Sequence, residues 1–185
     1  MFTNIFKIRR DEKMNSKEQE FESIIQDIMT HPTVKQMENF KQHCDTSCYT
    51  HCRNVAYYSY LICKKYNLDY VSVARAGMLH DLFLYDWRTK ANGRKGFHAF
   101  THPKTALNNS MEIFSLNKKE QDIILKHMWP CTIKFPRYKE SYILTFVDKF
   151  CAMQETYSYC KNKLEMKKMY RYAYLFLCLF AFRIV

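Results

Sequence analysis

The amino-acid sequence predicts an all-α fold, and three observations carry that prediction. Apolar residues recur every three or four positions along most of the chain, and no alternating pattern indicates a strand. Three glycines and four prolines leave little material for the many tight turns of a sandwich or barrel. A hydrophobic content of 48% in 185 residues is enough to bury one sizeable core. We therefore expect one compact helical domain over residues 1–185.

The first two helices are predicted from capping residues and apolar spacing. Ser16 and Gln19 form a capping-box pattern, and the apolar positions that follow at helical spacing end at His31-Pro32. A short second helix is expected over residues 34–40. His31 and His43 are interpreted as capping or surface residues.

The third and fourth helices bring ionisable residues to inward-facing positions. The third is expected from about Thr46 to Tyr66, with His51 on its apolar face. The fourth is expected to begin at an Asp69 cap and to run through "YVSVARAGMLHD", which ends in an adjacent histidine and aspartate. The small residues before this pair, Gly77 among them, permit close helix packing.

A long irregular stretch separates these helices from the next one. The segment "LYDWRTKANGRKGFHAF" contains two of the three glycines, and a loop of this length in a compact domain is usually functional or mobile. Thr101 is expected to cap the following helix, with His102 in its first turn.

Two further helices are predicted in the second half of the chain. Asn117 and Glu120 resemble a capping box, and the helix that they begin leads to His127. Another helix is expected after Pro136, with Asp148 on its inward side.

The eight cysteines are interpreted as reduced thiols of a cytoplasmic protein, because the N-terminus has no secretory apolar region. Cys44, Cys48 and Cys52 recur every four residues beside His51, and could be taken for a thiolate metal site. No CxxC pair accompanies them, so small core thiols are the favoured interpretation.

The net charge of +11 favours an anionic partner: a phosphorylated small molecule, a nucleic acid or a membrane surface. No recognisable binding-module pattern accompanies the basic clusters, which disfavours nucleic acid. The apolar run Tyr172–Phe182 covers 11 residues, fewer than the roughly 20 needed to span a bilayer. A buried C-terminal helix, a homodimer contact and a membrane-surface anchor remain open for it.

Several helical segments each deliver a histidine or an aspartate from an inward face or from an end. Burying unpaired carboxylates among imidazoles in an apolar bundle is costly without a compensating charge. A metal centre supplies that charge, and neutral imidazole and carboxylate suit zinc, iron, manganese, cobalt or nickel. The candidate metal ligands are His51, His80, Asp81, His102, His127 and Asp148.

The order of these residues resembles the HD-domain superfamily of metal-dependent phosphohydrolases, whose signature is a histidine, an adjacent His-Asp and a distant aspartate. The matching positions are His51 in "THCRNVA", His80-Asp81 in "AGMLHD" and Asp148 in "TFVDK". The resemblance covers about residues 45–155, which leaves N-terminal helices before this core and a C-terminal helix, 156–185, after it. It implies an HD-type helical domain in which His80 and Asp81 take part in catalysis.

His102 and His127 lie between the doublet and the final aspartate, as in superfamily members with two metals. The resemblance therefore implies a dinuclear site in which Asp81 bridges the ions. With a single metal on the four motif residues, His102 and His127 would instead contact the substrate or orient ligands.

The implied activity is hydrolysis of a phosphorylated small molecule, with a nucleotide as one candidate, through a metal-activated hydroxide. Basic side chains are expected to neutralise the phosphate, namely Arg88, Arg94, Lys104 and Lys149. The chain lacks the Gly-Tyr-Pro signature of the cyclic-dinucleotide phosphodiesterases, so that substrate class is not supported. A di-iron oxygenase with the same ligands and a non-catalytic nucleotide sensor remain alternatives.

Overall fold

The computed structural model describes the backbone of residues 2–89 and 96–163, and in that range the side chains from Ser16 onward except Asn162. The predicted all-α fold is confirmed, with seven α-helices in these residues. In chain order they are α1 (Phe2–Met29), α2 (Pro32–Lys35), α3 (Cys48–Lys65), α4 (Tyr70–Leu79), α5 (His98–Ile113), α6 (Lys118–Lys126) and α7 (Lys139–Lys163), and a 3-10 turn (Gln36–Asn39) follows α2.

A small hairpin departs from the prediction that the chain has no strand. Strands β1 (Lys41–His43) and β2 (Thr46–Ser47) pair antiparallel, and Cys44 lies in their turn with a φ of 54°. Strands of three and two residues are too short to show an alternating pattern, so sequence periodicity could not reveal them. The hairpin leads directly into α3, which Ser47 caps by accepting a hydrogen bond from the Thr50 amide.

Helix starts were predicted correctly where the capping side chain is bonded to the first turn. Asp69 accepts from the Ser72 amide at the start of α4, and Asn117 with Glu120 forms a complete capping box on α6. The predicted start at Ser16 is wrong, because α1 already begins at Phe2. The predicted cap at Thr101 is also wrong, because α5 begins three residues earlier, at His98.

Helix α5 begins at His98, one turn before the predicted cap, with Phe97 as its N-cap residue. Thr101 lies inside the helix, where its hydroxyl donates to the Phe97 carbonyl at 3.2 Å. A threonine can satisfy its hydroxyl in this way within a helix, so the residue type alone did not mark the start. His98, which was predicted to belong to the loop, is therefore a helical residue.

Helix α3 packs most extensively against α4 and α7, which also contact each other. Helix α4 also contacts α1 and α6, and α5 packs on α6. The predicted close approach of small residues occurs between α3 and α4. A Cβ atom added to Gly77 would lie 2.7 Å from the Ala56 Cα. This contact fixes where the end of α4 meets the middle of α3.

Helix α7 continues to Lys163 and passes through the predicted boundary between the core and a C-terminal helix. The apolar run Tyr172–Phe182 lies outside the described residues. Within the part of the chain that the structure describes, no helix combines the length and the apolar character needed to cross a membrane.

Candidate metal centre

The six predicted ligands come together in one buried cluster. They arrive from five helices: α3 supplies the first histidine, the end of α4 the His-Asp pair, α5 and the end of α6 one histidine each, and α7 the last aspartate. The six residues are all buried, with Asp148 the most exposed at 8%. The cluster consists of His51, His80, Asp81, His102, His127 and Asp148.

Three of the four imidazoles are held by backbone carbonyls through the same ring nitrogen. The Nδ1 atoms of His80, His102 and His127 lie 2.8 Å from the carbonyl oxygens of Gly77, His98 and Ile124 respectively. Since a carbonyl oxygen can only accept, each Nδ1 is the protonated donor. In the neutral ring the opposite atom, Nε2, then carries a lone pair and can bind a metal.

These Nε2 atoms converge on Asp81. Those of His102 and His127 are 2.8 Å apart and lie 3.2 and 3.5 Å from the Asp81 Oδ1 atom. That of His80 lies 3.4 Å from the Asp81 Oδ2 atom and 3.7 Å from the Asp148 Oδ1 atom. The site therefore concentrates electron-pair donors around one carboxylate.

Two buried atoms of the cluster, His80 Nε2 and Asp81 Oδ1, make no hydrogen bond within the described residues. Both are metal-ligand atoms, and an unsatisfied buried polar atom of this kind is destabilising unless a cation or a donor meets it. The donor set of imidazole nitrogen and carboxylate oxygen fits a divalent transition metal.

The ligand atoms fall into two groups that could each hold a metal ion, and Asp81 belongs to both. One group is His51, His80 and Asp81, and the other is Asp81, His102 and His127; within each group the ligand atoms lie within 4.8 Å of one another. Asp148 lies next to the first group, with its Oδ1 atom 3.1 Å from the His51 Nε2 atom.

His51 is held differently from the other three histidines. Its Nδ1 atom lies 3.0 and 3.1 Å from the two carboxylate oxygens of Glu155, a residue that the sequence reasoning missed. Glu155 follows Asp148 by seven positions on α7, two helical turns further along the same face. This seven-residue spacing was the signal that the sequence offered for Glu155. A single glutamate on a helix with several charged residues does not by itself indicate a contact with a metal ligand.

The hairpin supplies two further neighbours of the cluster. The Gln42 amide donates from Nε2 to the Asp81 Oδ2 atom, and the Trp87 indole donates to the Gln42 backbone carbonyl at 3.2 Å. The His43 ring packs edge-on against the His51 ring with centroids 5.0 Å apart. His43 is half-buried there, so its interpretation as a surface or capping residue is wrong.

His31 does cap a helix, as predicted, because its ring nitrogen accepts from the Thr33 amide at the start of α2. Its ring packs against Phe114, with centroids 5.3 Å apart. The interpretation as small core thiols is consistent with Cys48 and Cys52, which are buried on α3, but it is wrong for Cys44, which is half-buried in the hairpin turn. Burial raises the pKa of the Cys48 and Cys52 thiols, which keeps them neutral.

Opposite charges in the cluster stabilise each other in the protein without a metal. Burial raises the pKa of Asp81, but His80 and His102 more than offset this and hold it well below its usual value. The pKa of Asp148 is likewise held well below its usual value, because His51 and His80 outweigh burial.

Two of the histidines shift in the opposite direction to the carboxylates, whereas burial lowers the pKa of His127. Burial lowers the pKa of His51, but Asp148 and Glu155 raise it well above its usual value. The pKa of His80 is also raised well above its usual value, because the Asp81 charge outweighs burial. Protons on these two rings therefore supply positive charge in the absence of a metal.

Of the four predicted phosphate-binding residues, the structure brings Lys149 to the cluster. Its ammonium group donates to the His127 carbonyl at 3.1 Å and lies 3.8 Å from the Asp148 Oδ2 atom. Arg88 is exposed and pairs with Asp86 at 2.9 Å, and Lys104 is also exposed. Arg94 lies outside the described residues. The role of all four stays a prediction.

A surface groove of about 550 Å³ lies between the hairpin, α3 and α7. Glu155 lines it together with Asn54, Tyr58, Tyr159 and Lys163. Because Glu155 also contacts His51, its carboxylate separates the groove from the cluster.

No protein-family model, curated protein or solved structure matches the chain.

Proposed function

We propose that the protein is a metal-dependent phosphohydrolase of the HD-domain type that acts on a phosphorylated small molecule. The observation that supports this most is the sharing of Asp81 between two buried ligand groups. A carboxylate placed in this way can bind two ions at once, as a dinuclear hydrolase requires. The order of the ligands along an all-α chain is that of the HD signature.

Two divalent transition-metal ions fit the proposed site, with iron, manganese, cobalt, nickel and zinc as candidates. One would be held by His51, His80, Asp81 and Asp148, and the other by Asp81, His102 and His127. When bound, such a pair supplies a water activated as a nucleophile at neutral pH and offsets the charge of the phosphoryl group.

The protein's own residues hold the ligands in place and keep bulk water away. Gln42 fixes one oxygen of Asp81 by donating a hydrogen bond to it, which leaves the other oxygen facing His102 and His127. The Lys149 ammonium group, which lies beside Asp148, would pair with a phosphoryl oxygen. Burial of the ligands lowers the local dielectric constant, which strengthens these interactions.

Metal binding is expected to release protons, because His51 and His80 hold protons in the metal-free protein and must lose them to act as ligands. The metal affinity should therefore rise with pH, by about tenfold per pH unit for each proton released, until these rings are neutral. Calorimetric titrations between pH 6 and pH 8, in buffers of different ionisation enthalpy, measure the number of protons. An affinity independent of pH would contradict this arrangement.

The proposed function is tested by elemental analysis and by phosphate release over a panel of nucleotides and sugar phosphates. We expect about two metal equivalents and release of phosphate without consumption of oxygen. Turnover that needs both iron and oxygen would replace hydrolysis with the di-iron oxygenase alternative. Nucleotide binding without turnover under any of the five metals would favour the sensor alternative.

A further inference from the structure

The four imidazoles of the cluster differ in what fixes their orientation. His80 and His127 follow directly after α4 and α6, and each donates from Nδ1 to a carbonyl three residues earlier. Carbonyls in the last turn of a helix lack an intrahelical donor, so they are available for such a bond. His102 uses the carbonyl of His98 in its own helix. The orientation of these three rings is therefore set by the backbone.

The orientation of His51 depends on a side chain from another helix. Its ring lies between two carboxylates of α7, with Nε2 3.1 Å from Asp148 and Nδ1 3.0 Å from the nearer oxygen of Glu155. The side chain of His51 is fully buried, and that of Glu155 is 10% exposed. Water therefore has little access to the His51 ring and reaches Glu155 only from the surface groove.

We propose that Glu155 is a positioning residue that accepts the Nδ1 proton of His51 and thereby presents the Nε2 atom of His51 to the metal. This inference rests on the proposed metal centre, and it concerns the group formed by His51, His80 and Asp81. A carboxylate that receives the second ring proton of a metal-binding histidine fixes the tautomer and increases the basicity of the ligand nitrogen. Asp148 cannot take this part, because it faces the nitrogen that binds the metal.

The two ligand groups should therefore differ in how strongly their metal affinity depends on Glu155. Losing the Glu155 acceptor removes the bond that orients His51, while the group of Asp81, His102 and His127 keeps its backbone acceptors. The affinity of the first group should fall by about 10- to 100-fold, the usual effect of losing such an outer partner. The second group should retain its ion.

The test compares Glu155→Leu with Glu155→Gln, since glutamine keeps an oxygen that can accept the His51 proton and leucine does not. Glu155→Leu should bind one ion with wild-type affinity and one ion at least about tenfold more weakly, and Glu155→Gln should stay within about threefold of wild type for both. Affinities are measured by competition with a chromophoric chelator. The matched control is Gln154→Leu, the same substitution at the exposed neighbouring position.

A second measurement separates positioning from folding. Long-range nitrogen-15 NMR of the zinc-loaded protein should show His51 protonated at Nδ1 in wild type and in Glu155→Gln, and a change of this signal in Glu155→Leu. Thermal unfolding of the metal-free variants reports any general loss of stability. Equal metal affinity and an unchanged His51 signal in Glu155→Leu would overturn the positioning role.

A different result would assign Glu155 to a metal site of its own. The ligand atoms of His43, His51 and Glu155 also lie within 4.8 Å of one another. If wild type bound three ions and Glu155→Gln lost one while two stayed tight, Glu155 would be a ligand and the positioning proposal would be wrong. Failure of wild type to bind any metal would instead contradict the proposed function, so the two failures are distinguishable.

Discussion

Asp81→Asn is expected to lose both metal ions and all phosphohydrolase turnover. Asparagine keeps the size and shape of the side chain but replaces the two oxygens of the carboxylate with one neutral oxygen and one NH2 group. Asp81 is the residue common to the two ligand groups, and its Oδ1 atom faces His102 and His127 while Oδ2 faces His80. Removing its charge weakens both groups together, whereas removing any histidine weakens one.

Elemental analysis after gel filtration measures this effect, and the expected change is from about two equivalents to a trace. The control is Asp45→Asn, which removes the same charge from an exposed ion pair with Lys41 and should leave the metal content unchanged. Retention of two equivalents in Asp81→Asn would contradict the shared role. Retention of one tightly held ion would mean that Asp81 serves a single group.

The members of the buried cluster could be predicted from sequence because metal chemistry restricts residue types and their order. Histidine and aspartate at inward helical positions are costly unless something compensates them, so His51, His80-Asp81 and Asp148 together carried more information than any one of them. The positions of His102 and His127 followed from the same reasoning. The structure places all six side chains within one buried cluster.

The residues that contact and orient these side chains could not be predicted, because neither their residue type nor the local sequence pattern distinguishes them from other polar residues. Gln42 lies on a strand too short to recognise, and Glu155 is one of several charged residues on α7. Their importance comes from contacts 39 and 104 positions apart in the chain, to Asp81 and His51. Such contacts depend on how the helices pack and not on any local pattern.

The starts of the helices were likewise predictable only where they depend on local contacts. The caps at Asp69 and Asn117 were predictable because each side chain bonds to the turn that follows it. Ser16 and Thr101 have the same chemistry, but each lies inside a helix that starts earlier. The residue type permits a cap, and the neighbouring turn decides whether one forms.

Gly77→Ala is expected to destabilise the protein and to weaken metal binding, although alanine normally favours a helix. The added Cβ would meet Ala56 on α3, at 2.7 Å from its Cα and 3.2 Å from its backbone nitrogen. Backbone atoms cannot rotate away as the end of a side chain can, so α3 and α4 must separate. We expect a loss of about 1 to 3 kcal/mol in the free energy of unfolding, the usual range for overpacking.

The effect on the metal follows from the position of Gly77 in α4. Its carbonyl accepts the Nδ1 proton of His80 at 2.8 Å, so a shift of this turn moves the His80 Nε2 atom away from Asp81 and Asp148. Urea unfolding of the metal-free protein measures the first effect. Chelator competition measures the second, and the larger loss of affinity should fall on the group that contains His80, because the adjacent Asp81 is shared by both groups.

The double variant Ala56→Gly with Gly77→Ala tests which atoms cause the clash. Removing the Ala56 Cβ relieves only the 3.0 Å contact to that atom and leaves the shorter one to the Cα. The double variant should therefore remain less stable than Ala56→Gly alone by nearly the same amount as Gly77→Ala is less stable than wild type. Full recovery in the double variant would show that the Ala56 side chain, and not its backbone, limits the approach of the two helices. A Gly77→Ala protein as stable as wild type would mean that α3 and α4 do not approach this closely, and the placement of His80 beside His51 would then need another cause.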